Sequence, residues 1–477
     1  MREKGDQVLS ARPAPIPPPR PKFLFACAVG LAVIFAAMSR LPTHRASVPL
    51  YLALYASAFV IYAIAAAALA RRNCRCSLPV ILLFAALFHA LLVPSAPLLS
   101  TDVYRYLWEG RLTLHRVNPL LTPPDAPALK ALRDTDWKNV NNKAVSSIYP
   151  TTSQAFFVLS SRIAPGSLIL WKALMSGCDL GAAIFLAAWL RRRGLPPQRC
   201  LLYAWNPLPI TEFALNGHQD AIGIAALCAG FWLIALGPGR SSQPRLPHAA
   251  AGAVFALSIF AKGYALLCLP YLRRQGKTFW LTLAASSMAL TAPLFYGFRI
   301  GALADAPKST GAVPWSGLHI FALEWERNDS FFRLIRIAAD AVGVHPELAA
   351  RVTTTALFLA LAIWLWVGKR NHTVESSCLG VFGAFLLLGP TLYPWYVAWL
   401  IPLAIVARRP SWLVLSGLVA LDYLSGYYGR ELIVVLITEY LLFYLCLLAD
   451  YARHPCGDSR EQAPGNGEFV PEAPCQI

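Results

Sequence analysis

AAAGAVFALSIFAKGYALLCLPYL, residues 249–272, is an apolar run interrupted by a single charge, Lys262. A helix needs about 20 mainly apolar residues to cross the roughly 30 Å hydrocarbon core of a bilayer, so the run is long enough for one crossing. One crossing fails on charge. Basic clusters stand at Arg71-Arg72, Arg191-Arg192-Arg193, Arg273-Arg274, Lys369-Arg370 and Arg408-Arg409, and cytoplasmic loops are where such residues collect. A single span at 249–272 would put Arg273, Arg274 and every later cluster on the side opposite the arginine triplet. The run therefore reads as a re-entrant hairpin or paired half-helices with Lys262 near the apex. At about 1.5 Å per residue, the arm 263–272 covers only about 15 Å, which keeps Lys262 inside the outer half of the membrane.

The same pattern extends outward. Apolar runs recur from Phe23 to Asp450, 57% of the chain is hydrophobic, only 14% is charged, and the mean hydropathy is +0.50. A soluble domain does not carry that composition. Spans are expected near 23–39, 48–70, 78–97, 168–190, 200–216, 220–237, 278–295, 346–368, 374–390, 392–407, 411–427 and 431–450. With the hairpin, the expectation is an all-α polytopic bundle of about 12–14 transmembrane helices. Segments of about 98–167 and 296–345 fall outside, the first long enough to carry juxtamembrane helices. One membrane domain then fills 23–452, between a basic Pro-rich leader (1–22) and a polar tail (453–477), both disordered and cytoplasmic.

The net charge of +17 is spent in short clusters between apolar runs, which fits the positive-inside rule and argues against a nucleic-acid partner. The eleven cysteines avoid both external segments and read as core or cytoplasmic thiols rather than disulfides. Cys74 and Cys76 read as part of a solvated basic loop.

Polar residues that carry chemistry gather just after the third span. In TDVYRYLWEGRLTLHRVNPL, Asp102, Arg105, Tyr106 and Glu109 share one helical face. The pattern fits a capped juxtamembrane helix anchored by Arg105 and Trp108. It equally fits a catalytic carboxylate: the helix N-terminus favours an ionised Asp102, which can take a proton from an attacking hydroxyl. A phospho-sugar leaving group is already a stable anion and needs cations more than an acid, and Arg105, Arg111 and Lys262 are the candidates. Lys262 in particular is expensive within an apolar run unless it faces protein, water or an anion. SSIYPTTSQAFF adds Tyr149 and Gln154, and YAWNPLPITEFALNGHQDA adds Asn206, Glu212, His218 and Asp220, a polar density that suggests a substrate cavity. Within it, His218 reads as a satisfied hydrogen-bonder rather than as the base. LYPWYVAWLIPL, with Tyr393, Trp395, Tyr396 and Trp399, reads first as an aromatic belt and second as a surface for sugar stacking. Asp134-Thr135-Asp136 has the form of a metal-binding DxD, but in a charged external loop it reads as a solvated face.

Taken in series, TDVYRYLWEGR, VNPL, IYPTTSQ, YAWNPLPITEFALNGHQDA, Lys262-Gly263-Tyr264 and YPWYVAWLIPL resemble the bacterial polyprenol-phosphate-mannose-dependent mannosyltransferases of the GT-C superfamily, including glycosyltransferase family 87-like proteins, over roughly residues 23–450. The resemblance implies an inverting, metal- and cofactor-independent transferase of the inner membrane. Its site would face the periplasm or cell exterior, and its donor would be a polyprenyl-phosphate sugar passed to a lipid or glycan acceptor. It places the base at Asp102, beside which the residue chemistry offers Lys262, Arg105 and Arg111 for the donor phosphate. Substrate contacts fall to Tyr104, Trp108, Asn118, Tyr149, Gln154, Asn206, His218, Asp220 and Tyr396. Two departures stand out: Thr101-Asp102 replaces a double acidic pair, and Tyr149-Pro150-Thr151 replaces a YPP sequence. Competing classes are a lipid or solute transporter, against which the lack of related halves argues, and a catalytically silent subunit of a glycan-assembly complex.

Overall fold

The computed structural model describes residues 21–70, 76–237, 245–300, 316–368 and 373–453, without side-chain detail at 21, 245 and 294–300. Residues 1–20 of the leader, Arg71-Arg72, Cys74, residues 301–315, Lys369-Arg370 and residues 454–477 of the tail lie outside the described residues, whereas Pro21, Lys22 and Arg453, expected in the disordered ends, are helical.

The chain is almost entirely helical, and the one β-type pairing among the described residues is an isolated parallel bridge between Arg327 and Thr391. In chain order the α-helices are α1 (Pro21–Met38), α2 (Val48–Ala70), α3 (Leu78–Leu92), α4 (Asp102–Leu114), α5 (Thr135–Asn139), α6 (Thr151–Ile163) and α7 (Leu168–Arg192). They continue with α8 (Leu201–Ala204), α9 (Pro207–Ile210), α10 (Asp220–Ile234), α11 (Arg245–Lys262), α12 (Lys277–Ile300), α13 (Ser316–Glu324), α14 (Phe331–Ala341) and α15 (Pro346–Val367). The last are α16 (Val374–Leu388), α17 (Pro394–Val397), α18 (Leu400–Val406), α19 (Ser411–Leu418), α20 (Asp422–Tyr428) and α21 (Ile433–Arg453). Four helices, α2, α7, α15 and α21, are long and apolar enough to cross a bilayer, and shorter apolar helices accompany them. Large apolar side chains such as Leu83, Leu281 and Met288 point outward, as a polytopic helix bundle in lipid requires.

The runs 200–216 and 249–272 are each interrupted, with physical causes. Pro207 and Pro209 remove backbone donors from 200–216, so the run divides into α8, α9 and a π-type turn at Thr211–Leu215. Asn206 bridges the first break: its Oδ1 accepts from the Leu208 amide at 3.0 Å, and its Nδ2 donates to Ser416 Oγ at 2.8 Å. π turns add a residue to the helical ring and often occur at functional sites; this one carries Glu212. In the second break, α11 stops at Lys262 because Gly263 takes φ +84°, and Tyr264–Leu272 continues as a 3₁₀ helix. At about 2.0 Å per residue that arm is longer than an α-helical one, about 18 Å.

Close helix contacts are set by glycine. A Cβ on Gly110 would lie 2.2 Å from the Phe157 carbonyl oxygen, so α4 and α6 meet at backbone distance, and one on Gly223 would lie 2.1 Å from the Trp399 ring. Tyr106 stacks on Phe157 at 4.9 Å, meets Tyr149 edge-on at 5.1 Å and packs on Trp171 of α7 at 5.4 Å, which ties α4 and α6 to the bundle.

Candidate active site

A cavity of about 460 Å³ opens between the segment 98–167, the α1–α2 loop, the tip of α11 and the C-terminal helices. Its wall includes Asp102, Arg105, Asn141, Tyr149, Lys262 and Tyr396, together with Arg45, Arg327, Tyr393, Trp395, Asp422 and Tyr423.

Asp102 does not cap α4. Thr101 occupies the cap position and Asp102 is the first helical residue, its carboxylate accepting from Asn141 Nδ2 at 2.5 Å. The side chain keeps 18% of its surface exposed, at the cavity wall. Burial pushes its pKa above the ordinary carboxylate value, against the opposing pull of Asn141, Lys262 and Arg105. The helix N-terminus alone therefore does not set its charge, contrary to the simplest expectation from sequence.

Behind Asp102, Arg105 and Glu109 form a buried pair one turn apart, at 2.8 Å. Glu109 also accepts from Ser147 Oγ at 2.6 Å and Gln154 Nε2 at 2.7 Å. Burial raises the Glu109 pKa while Arg105, Ser147 and Gln154 oppose the rise. Arg105 spends its remaining donors on the carbonyls of Asn141, Asn142 and Val145. The network fastens loop 141–147 over α4, so Glu109 and Arg105 together place Asn141 against Asp102. Sequence spacing put both on the Asp102 face; the loop they hold is far in sequence and left no local signal.

Lys262 reaches the cavity from the C-terminus of α11, where a cation is favoured. Its Nζ donates to Asp220 Oδ1 at 2.7 Å and lies 4.2 Å from the centre of the Tyr396 ring. Asp220 Oδ1 also accepts from Trp399 Nε1 at 2.8 Å. Lys262 is thus largely neutralised by its own fold. Arg45 and Arg327, which the sequence did not single out, supply further positive charge. Arg327 Nε donates to Asp422 at 2.9 Å, and Arg45 Nε donates to the Tyr427 carbonyl. Arg327 is positioned by the bridge to Thr391, with Leu392 N–H donating to its carbonyl at 2.9 Å.

Other residues of the expected site lie off the cavity. Arg111 pairs with Asp134 and lies over Trp108, with its centre 5.3 Å from the ring. Asp134 caps α5 through the Trp137 amide at 3.0 Å, and although partial burial raises its pKa, Arg111 and Trp137 carry it below the ordinary value. The DxD is thereby explained as a cap and an ion pair, more structured than a solvated face. Among the described residues no cluster of His, Cys, Asp and Glu has the form of a metal site. Tyr104 and Trp108 pack against Leu112, Leu129 and Val140; Asn118 Oδ1 accepts from the Leu120 amide at 2.9 Å; Gln154 belongs to the Glu109 network. Asn206 is fully buried at the α8–α9 break. The aromatic belt is corrected: Trp395, Tyr396 and Trp399 are buried inside the bundle, and the first two line the cavity.

His218 corrects a second expectation. It is fully buried and stacks on Trp395 with centroids 3.7 Å apart, yet neither ring nitrogen has a hydrogen-bond partner. Nδ1 lies 3.7 Å from Asp102 Oδ2 and Nε2 lies 3.4 Å from Glu212 Oε2.

The structure is that of a helical membrane bundle whose cavity wall carries one partly exposed carboxylate, Asp102, among cations. The chain belongs to the alpha-(1->6)-mannopyranosyltransferase family, whose N-terminal-domain model matches residues 26–274, more than half of its 477 residues. That range contains Asp102, Glu109, His218 and Lys262, while Arg327, Trp395 and Asp422 lie beyond it. No curated protein and no solved structure gives a significant match.

Proposed function

We propose that this protein is a GT-C hexosyltransferase that moves mannose from a polyprenyl-phosphate donor to a lipid or glycan acceptor at the outer face of the cytoplasmic membrane. The observation that carries the reading is Asp102: a carboxylate held by Asn141 at the wall of a cavity that also presents Lys262, Arg45 and Arg327. Asp102 takes the proton of the acceptor hydroxyl as its oxygen attacks sugar C1 from the face opposite the phosphate. The C1–O bond breaks and its electron pair leaves with the phosphate, so the configuration inverts. Cations stabilise that charge better than an acid would, since the leaving group is already anionic. Arg327, Arg45 and Lys262 meet the phosphate, Arg105 adds charge from the wall, and Tyr149 and Tyr396 contact the sugar. Membership in the alpha-(1->6)-mannopyranosyltransferase family supports mannose as the sugar.

The test is sugar release from synthetic polyprenyl-phosphate-mannose, compared with GDP-mannose, by purified wild type and Asp102→Asn with membrane lipids as acceptors. Consumption of the lipid-linked donor by wild type alone is expected. Turnover of that donor by a folded Asp102→Asn variant would remove Asp102 from its role. A transporter in detergent would consume neither donor.

A further inference from the structure

His218 is a fully buried imidazole with two unmade hydrogen bonds, a costly arrangement unless the site uses it. It is also firmly placed. Its amide donates to the Glu212 carbonyl at 2.9 Å across the π turn, Gly217 supplies φ +75° just before it, and Trp395 fixes the ring plane. Glu212 is held in turn, accepting from Tyr423 Oη at 2.7 Å and Asn216 Nδ2 at 3.2 Å.

We propose that His218 is a positioning residue that receives, through Asp102, the proton of the acceptor hydroxyl, with Glu212 holding the imidazole in the accepting tautomer. The proposal rests on the transfer reading of the site. The proton moves from the acceptor oxygen to Asp102 Oδ2, then to His218 Nδ1; Nε2–H faces Glu212 throughout. The resulting imidazolium lies between two carboxylates and over the Trp395 face, both of which stabilise it. An acid–base group oriented by a buried carboxylate is the same division of labour as in hydrolytic triads. The 3.7 Å and 3.4 Å separations are longer than good hydrogen bonds, so proton transfer along them requires both contacts to shorten. The other titratable groups that face this cluster are Tyr51 and Tyr55 from α2, Arg105 and Tyr106 from α4, Tyr149 before α6, Asp220 and Lys262 from α10 and α11, Tyr393 before α17, and Tyr423 from α20.

The experiment is an infrared pH titration of the purified full chain in detergent, following the Asp102 carboxyl band assigned by its loss in Asp102→Asn. Burial and Lys262 push the His218 pKa down, so the proposal requires Asp102 and Glu212 to outweigh them and direct the pair's first proton to His218 in wild type. In His218→Gln it must go to Asp102, so the carboxyl band appears at higher pH. Glu212→Gln, which keeps the shape of the site, moves it the same way by less. Identical titrations in wild type and both variants would overturn the proposal, whether or not sugar is transferred. Coupled titrations without donor consumption by wild type would support the coupling and refute the transfer reading. In the transfer assay, His218→Gln should lower kcat about tenfold or more with donor KM held within about twofold. An unchanged kcat would overturn the relay.

Discussion

Among the described residues, two buried histidine–carboxylate clusters are built from the same groups. In the one between α3, α7 and α8, His89 Nδ1–H donates to the Ala85 carbonyl at 2.8 Å, His89 Nε2 meets Asp179 Oδ2 at 2.9 Å, and Tyr203 donates to Asp179 Oδ1. The Ala85 carbonyl fixes one proton, so His89 and Asp179 share another along their contact. Both His89 nitrogens are bonded, and none of His89, Asp179 and Tyr203 lines the cavity at Asp102. Around His218 the contacts are 3.4 Å and 3.7 Å, both nitrogens lack a bond, and the neighbouring Asp102 faces the cavity. Residue type does not separate structure from chemistry here. Completed bonding and isolation make the first cluster a weld between helices; open bonding and access give the second room for a proton to move.

The comparison is broken most directly by removing one carboxylate from each cluster. Asp102→Asn should cost about 10²- to 10⁴-fold in transfer rate, the range for losing a general base, with the thermal unfolding midpoint little changed. Asp179→Ala should do the reverse. Removing one partner from a buried pair leaves the other uncompensated and costs about 3–5 kcal/mol, read as a lower unfolding midpoint, while the protein that remains folded keeps wild-type kcat. If Asp179→Ala lowers kcat in the folded fraction, the two clusters are not functionally distinct.

The helices were largely legible because apolar length and the arginine clusters speak locally. Spans expected near 48–70, 168–190 and 346–368 coincide with α2, α7 and α15 within two residues at each end. Asp102 and Lys262 were also legible, since a charge beside or inside an apolar run announces its cost. What the sequence could not carry was long-range pairing. Asn141 meets Asp102 across 39 positions, Arg327 meets Asp422 across 95, and Tyr423 meets Glu212 across 211. No periodicity encodes such partners. The aromatic run at 393–399 misled for a related reason: belt residues and cavity-lining residues have the same composition and differ only in which way the helix turns.

A smaller effect tests the frame that holds the open cluster. Gly110→Ala places a methyl against the Phe157 carbonyl, where neither backbone can yield without moving α4 from α6. Overpacking of this kind typically costs about 1–3 kcal/mol. Because α4 carries Asp102 and Glu109, the variant should lose both stability and transfer rate, unlike either carboxylate variant. A loss of stability with full activity would mean that Asp102 is placed by its loop rather than by its helix.

The finest test concerns the charge of Asp102 itself. Its pKa is raised by burial and lowered by Asn141, Lys262 and Arg105. A base must be deprotonated to act, so transfer is lost as pH falls through that raised pKa, and the acid limb of kcat/KM should lie above the ordinary carboxylate range near about 3.9. Asn141→Ala removes a donor that favours the charged form. The Asp102 pKa then rises further and the acid limb moves to higher pH, while the rate well above it changes least. His89 and Asp179 offer no such handle, because their cluster has no group exposed to the reaction. If the limb stays in place in Asn141→Ala, the Asn141–Asp102 bond does not set the ionisation of the base, and the open cluster must be tuned from the His218 side instead.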